Sequence, residues 1–215
     1  MCIRDRSTSS GQGAARNLSL AVSPDGSAVV AFAGGGDGIW AASGSIKGGF
    51  FAPVHVAAGD YNKDSAPKAA LDDAGQASLA WSQTTRTEAA TRSPGGTWSA
   101  PVVLASQASS SVATAIDGAG NAIAVFGSSY AWHLAGGSWG PATPLPAGSS
   151  GGLAVADPAG TFVYADSGGN AFTFAAGAAS FGAGSGSRGS LGDLKIVPGQ
   201  AVMLAADAVS AETVN

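Results

Sequence analysis

Of 215 residues, 46 are Ala and 33 are Gly, so over a third of the chain carries almost no side chain, while Leu, Ile, Val and Phe together number only 40. Charged residues make up 11%, the net charge is −4 and the pI is near 4.9, which leaves no basic stripe for the phosphates of a nucleic acid. No run of about 18 apolar residues is available to span a membrane, and the lone Cys2 excludes an internal disulfide and a Cys-based zinc site.

Residues 1–15 open with Met1-Cys2-Ile3-Arg4-Asp5-Arg6 and a Ser-rich run unlike anything downstream. The string resembles a translated sequencing-adapter prefix. As that, or as a natural tail, it is expected to be disordered, and it has no apolar h-region of a signal peptide.

From residue 16 onward a tetrapeptide recurs: Ser23-Pro24-Asp25-Gly26, Asp72-Asp73-Ala74-Gly75, Asp117-Gly118-Ala119-Gly120 and Asp157-Pro158-Ala159-Gly160, with a degraded copy at Ile196-Val197-Pro198-Gly199. Asp or Ser first, Pro tolerated second and Gly fourth spell a type I turn closed by a left-handed Gly, the usual bulged hairpin loop. Gly26, Gly75, Gly120 and Gly160 are therefore expected at positive φ as structural turn residues. Leu18, Leu20 and Val22 alternate before the first turn, and Val112, Thr114 and Ile116 before the third. After the turns the alternation resumes as Ala28, Val30, Phe32, then Ala77, Leu79, Trp81, then Ala122, Ala124, Phe126. The residues between them (Val29, Ala31, Ile123, Val125) are also apolar, so this second strand is expected to be covered on both faces.

A more polar run follows, such as Glu88 to Arg92, and then Gly-Gly, an aromatic and a Pro: Gly48-Gly49-Phe50-Phe51-Ala52-Pro53, Gly95-Gly96-Thr97-Trp98-Ser99-Ala100-Pro101 and Gly136-Gly137-Ser138-Trp139-Gly140-Pro141, with a weaker copy near Phe181. A Pro at that place suits an outer strand whose missing N–H faces solvent. Four strands in about 40 residues is the period of a propeller blade. The expected fold is all-β, a β-propeller of four-stranded antiparallel blades at 16–58, 64–106, 110–148 and 150–187, with an incomplete blade at 190–215. Four and a half to five blades point to a fragment of a larger propeller, an open arc that leaves the apolar faces of its first and last repeats in water, with an irregular five-blade ring as the alternative.

Asp25, Asp72, Asp73, Asp117 and Asp157 read as turn residues, because calcium needs about six to eight oxygens gathered by one loop. Asp60, Asn62 and Asp64 read as a solvated linker. His55 and His133 sit in separate alternating strands without a second ligand, so both read as surface histidines, and no metal or cofactor is expected. Trp81, Trp98 and Trp139 share repeat positions with Phe32, Phe126 and Phe51 and are expected to pack between blades, while Trp132 lies in a third-strand region. Trp40, after the loop Gly34-Gly35-Gly36-Asp37-Gly38, is the candidate ligand contact, a stacking platform for a sugar ring. That loop lacks the Lys and the following helix of a phosphate cradle. Gly182-Ala183-Gly184-Ser185-Gly186 loosely matches a nucleophile elbow but has no α/β context.

Asp117–Phe126 (DGAGNAIAVF) followed by Gly136–Leu145 (GGSWGPATPL) resembles the repeat of bacterial sialidase-like, or BNR-like, β-propellers, over roughly 16–215. The Asp-box common in that family, Ser-x-Asp-x-Gly-x-Thr-Trp, has its nearest counterpart in Ser93-Pro94-Gly95-Gly96-Thr97-Trp98, which lacks the Asp. The resemblance implies an exported bacterial protein, secreted or on the cell surface. A sialidase would need clustered arginines, a Tyr–Glu pair and an acid Asp, whereas residues 16–215 hold only Arg16, Arg86, Arg92 and Arg188, with Glu88 and Glu212. Arg86, Glu88 and Thr84 are expected on one solvent-facing strand face, so no catalytic residue is assigned. The leading expectation is a non-catalytic binding or scaffold module presenting loops to a glycan or protein. The competing one is part of a sialidase-like hydrolase or lyase whose catalytic residues lie outside this chain.

Overall fold

A computed structural model describes residues 16–34, 38–59, 66–146, 148–178, 191–197, 200–205 and 211–214, the last three segments by backbone alone. The described residues form strands and turns, with no helix, arranged as five antiparallel sheets in chain order. Blade 1 joins β1 (Arg16–Val22), β2 (Ser27–Gly34) and β3 (Gly38–Ser45) to an outer strand in two pieces, β4 (Gly49–Phe50) and β5 (Val54–Ala57), both paired with β3. Blade 2 runs β6 (Lys68–Leu71), β7 (Ala77–Ser82), β8 (Thr87–Arg92), β9 (Val102–Ala105). Blade 3 runs β10 (Val112–Ile116), β11 (Ala122–Phe126), β12 (Ser129–His133), β13 (Thr143–Pro144). Three strands are described in blade 4, β14 (Leu153–Ala156), β15 (Thr161–Ala165) and β16 (Ala171–Ala175), and three in blade 5, β17 (Leu191–Val197), β18 (Gln200–Ala205) and β19 (Ala211–Val214). The first strands stand side by side, β1 by β6, β6 by β10, β10 by β14 and β14 by β17, and each sheet runs outward from them. This is the radial arrangement of a β-propeller.

The hairpins between first and second strands are held by side chains as well as backbone. Gly26, Gly75, Gly120 and Gly160 have φ of +87°, +84°, +85° and +98°, and Gly120 N donates to Asp117 O at 3.0 Å. The Asp117 carboxylate, buried in the turn, accepts from Ala119 N at 3.0 Å, Asn121 N at 2.8 Å and Asn121 Nδ2 at 2.8 Å. Asp72 holds Gln76 in the same way. In the first turn Asp25 occupies the third position and bonds Ser23 and Ser27, which holds its carboxyl below the usual carboxylate range. Gly199 lies outside the described residues.

One register rule builds the core. In blades 2 to 4 the residues two, four and six past the turn Gly face the preceding blade. Leu79 and Trp81 of blade 2, with Ala90 across on β8, pack on Ala31, Ala33, Ile39, Ala41 and Val56 of blade 1. Ala122, Ala124 and Phe126 of blade 3 pack on Ala80, Ala89 and Leu104 of blade 2. Phe162 and Tyr164 of blade 4 pack on Ala113, Ala115, Ile123 and Val125 of blade 3. Alanines let the sheets approach closely, and large aromatics, Trp81 between blades 1 and 2, Phe126 and Trp139 between blades 2 and 3, and Phe162 and Tyr164 between blades 3 and 4, fill the remaining space. The second strands β7 and β11 are buried along their whole length.

The outer landmark has a different register from the one its Gly-Gly pairs suggest. Gly44 pairs with Phe50, Arg92 with Trp98 and His133 with Trp139, so Phe50 is the counterpart of the two tryptophans and Phe51 is 78% exposed. The fixed quantity is six residues from the third strand to the aromatic, whereas the Gly-Gly pair shifts by one within that span.

Candidate functional site

The Arg92–Trp98 pair borders an open groove of about 430 Å³ between the outer parts of blades 1 and 2. Blade 1 lines it with Ala41, Ser43, Phe51, Val54 and His55, and blade 2 with Arg92, Gly95, Gly96, Thr97 and Trp98. The hairpin Ser93–Thr97 closes with Gly96 N donating to Ser93 O at 3.0 Å, and it carries Trp98 back beside Arg92. The guanidinium lies 5.4 Å from the centre of the Trp98 ring, a cation–π contact, and its Nη1 donates to Ser43 Oγ across the blade interface.

Arg92 is unusual in what it lacks. Among the described residues it pairs with no carboxylate, its Nε is buried without an acceptor, and burial alone pulls its pKa below the ordinary value. Trp98 Nε1 is also buried without an acceptor. A half-buried cation, an aromatic face and unused donors beside an apolar groove suit an anion attached to an apolar or flat group.

The other singled-out residues are dispersed. Glu88 is not on a solvent-facing surface: it is 3% exposed, and its carboxylate accepts from Trp81 Nε1 at 3.1 Å and Gln83 Nε2 at 2.5 Å. Arg86 Nε comes within 2.8 Å of Glu88 Oε1, an ion pair by distance whose N–H does not point along that line. Gln83 also donates to Ala58 O at 3.3 Å, tying the β7–β8 turn to the connection leaving blade 1. The reason is the register: Glu88 faces Trp81 across the strand pair, and an indole N–H in the interface needs an acceptor. Thr84 is exposed.

Trp40 lies on the face of β3 turned away from blade 2, with its ring 4.8 Å from that of His55 and its Nε1 buried without an acceptor. His55 is exposed, but His133 is half-buried against Trp139 at 5.5 Å, and burial pushes its pKa down. Trp132 packs edge-on against Phe162 and donates to Ala178 O at 3.3 Å. Among the described residues no three His, Cys, Asp or Glu converge as a metal cluster. The loop 35–37, the Asp60–Asp64 segment and residues 179–190, with Phe181, Arg188 and the Gly182–Gly186 motif, lie outside the described residues.

Two features were missed in the sequence although their signals are present. Asp166-Ser167-Gly168-Gly169-Asn170 is a further carboxylate-clamped turn, with Asn170 N and Nδ2 each 2.8 Å from Asp166, but it joins second to third strand and breaks the 40-residue spacing. The second is the recurrence of Arg92 and His133 six residues before a Trp, with Gly-Gly and Ser or Thr between.

No protein-family model matches the chain, and no curated protein does. Solved structures are similar. Streptogramin B lyase overlays with a TM-score of 0.62 at 10% identity, covering 96% of this chain and 70% of that one. A structure of the nidogen–laminin complex gives a TM-score of 0.56 at 16% identity, covering 91% and 74%, and YCF48 bound to the D1 peptide gives 0.52 at 13%, covering 88% and 60%. At such identities the likeness is one of fold, and with the side-by-side first strands it makes the chain a β-propeller protein.

Proposed function

We propose that the chain is a non-catalytic propeller module of an exported protein that binds a partner protein, taking an acidic side chain or chain-end carboxylate of that partner into the groove between blades 1 and 2. The observation that carries this reading is Arg92, a half-buried guanidinium stacked on Trp98 with no carboxylate among the described residues. A carboxylate entering the groove supplies the acceptor that the site lacks, and Phe51 and Val54 at its rim supply apolar contact. Two of the similar propellers carry protein ligands in their structures, YCF48 with the D1 peptide and the nidogen–laminin complex, which favours a peptide over a glycan. The acids nearest this region whose contacts are described are committed elsewhere, Glu88 to Trp81, Gln83 and Arg86 and Asp72 to Gln76. Export rests on the sialidase-like resemblance of the repeat.

The test is an array of hexapeptides matched in pairs, Glu against Gln at one position and free acid against amide at the end. The expected result is retention of acidic members by the native chain and at least tenfold weaker retention by Arg92→Gln. Equal retention of Glu and Gln peptides, or unchanged retention by Arg92→Gln, contradicts the reading.

A further inference from the structure

The rule that buries one face of each blade has an exception. Residues two, four and six past the turn Gly are buried against the preceding blade in blades 2, 3 and 4, with Leu79 and Trp81 at 0% exposure. In blade 1 the same register places Val30, Phe32 and, across the strand pairs, Leu20 and Trp40 on a face turned away from blade 2. Leu18 and Leu20 are 63% and 61% exposed, and Val22 and Phe50 are exposed beside them. Their counterparts Val112, Ile116 and Trp139 in blade 3 are core residues. Among the described residues no juxtaposition like that of β14 with β17 brings blade 5 to β1.

Among the residues whose side chains are described, the face is apolar from β1 to β4 and carries no charged group until His55 at its outer edge. Along its second strand it matches the front of blade 2: Phe32 stands where Trp81 does, Val30 where Leu79 does and Ala28 where Ala77 does, while on the third strand Trp40 and Gly44 stand where blade 2 has Glu88 and Arg92. The surface that receives the front of blade 2 is the Ala-rich back of blade 1, made of Ala31, Ala33, Ile39, Ala41 and Val56. A surface of the same kind is the complement of blade 1's own front.

From this register match we infer that the front face of blade 1 is a blade-docking surface, and that its occupant is a further four-stranded blade of the same repeat type, presenting an uncharged back face of Ala and β-branched residues. This does not depend on the groove, which lies on the opposite face of blade 1 and shares with this one only His55 at the outer edge. Docking buries Leu18, Leu20, Val22 and Phe50 as the interface of blade 3 buries their counterparts Val112, Thr114, Ile116 and Trp139.

The test uses thiol labelling in a Cys2→Ser background. Leu20→Cys reports on the face, and Val103→Cys, an exposed position on the outer strand of blade 2, is the control. Both are placed in the present chain and in one lengthened by a second copy of residues 16–65 ahead of residue 16, so that a duplicate of blade 1's back meets blade 1's front. The expected result for Leu20→Cys is fast labelling in the present chain at every concentration and labelling at least 50-fold slower in the lengthened chain, with Val103→Cys labelled fast in both. Protection of the reporter thiol in the present chain that survives dilution means that its own fifth sheet closes the face, and protection lost on dilution means that a second copy does. Either result overturns the inference, as does fast labelling of Leu20→Cys in a lengthened chain whose circular dichroism shows the added blade folded.

Discussion

The interfaces between blades 1 and 2 and between blades 2 and 3 share one register and have opposite characters at their outer ends. Between blades 2 and 3, Trp139 is 8% exposed and packs with Leu104 and Val102, and half-buried His133 lies against its ring. Between blades 1 and 2, Trp98 is half-buried, Val54 is exposed where Val102 is partly covered, and Arg92 replaces the imidazole. A neutral imidazole can be enclosed, while a guanidinium stays charged and resists complete desolvation without an anion. The same hairpin therefore closes one interface and leaves the other as a groove.

The inner halves differ in the converse sense. Blade 2 uses Trp81, whose indole N–H requires Glu88, whereas blade 3 uses Phe126 opposite Ser129 and needs no acceptor. The largest expected effect follows from this. Trp81→Ala should destabilise the chain by about 3–5 kcal/mol in chemical denaturation, through loss of a fully buried ring, while Trp98→Ala should cost about 1–2 kcal/mol because its ring is only partly buried. Equal costs would remove the distinction between the sealed inner part of the interface and its open outer end.

Next in size, Glu88→Ala should cost about 2–3 kcal/mol, because it strands the Trp81 and Gln83 donors in the interior. Importing the blade 3 solution, Trp81→Phe with Glu88→Ser, should cost at least about 1 kcal/mol less than the two single changes summed. Additivity in that double-mutant cycle would mean that the carboxylate is not held by the indole.

Gly120→Ala should cost somewhat more than the roughly 1 kcal/mol of positive-φ strain alone, because a Cβ there would lie 2.3 Å from Gln76 Oε1 and displace that amide. Gly26→Ala, with open space around the Cβ position, should show the strain term by itself. A reversed order in urea midpoints would contradict the packing of Gln76 on that turn.

The smallest effect concerns pH. Burial depresses the pKa of His133 relative to the unfolded chain, so below about pH 6.5 the unfolded state binds the proton first. The contribution from neutral His133 is complete above that pH and declines as pH falls toward the depressed folded value. His133→Phe should flatten this limb of the stability curve, and an unchanged limb would place the imidazole in solvent.

The blades were legible because their signals are local: the turn tetrapeptide needs only four residues, and the alternation of Ala77, Leu79 and Trp81 states which side chains share a face. The all-β propeller class followed from those two patterns. The site was less legible because its character depends on pairing across strands. Glu88 reads as solvent-facing until β8 is placed opposite Trp81, and Arg92 gains meaning only once the hairpin carries Trp98 back beside it. Aligning the repeats on Gly-Gly selected Phe51, because glycines mark a turn without fixing the count of residues through it.

The most direct test of the groove is a ¹H–¹⁵N spectrum resolving the Arg92 Nε–H and the indole N–H signals of Trp98 and Trp139 while an acidic hexapeptide is added. The account predicts saturable shifts at Arg92 and Trp98 with Trp139 unmoved, and no shift with the matched Gln amide peptide. Equal movement of Trp98 and Trp139, or a response that ignores the peptide's charge, would contradict it.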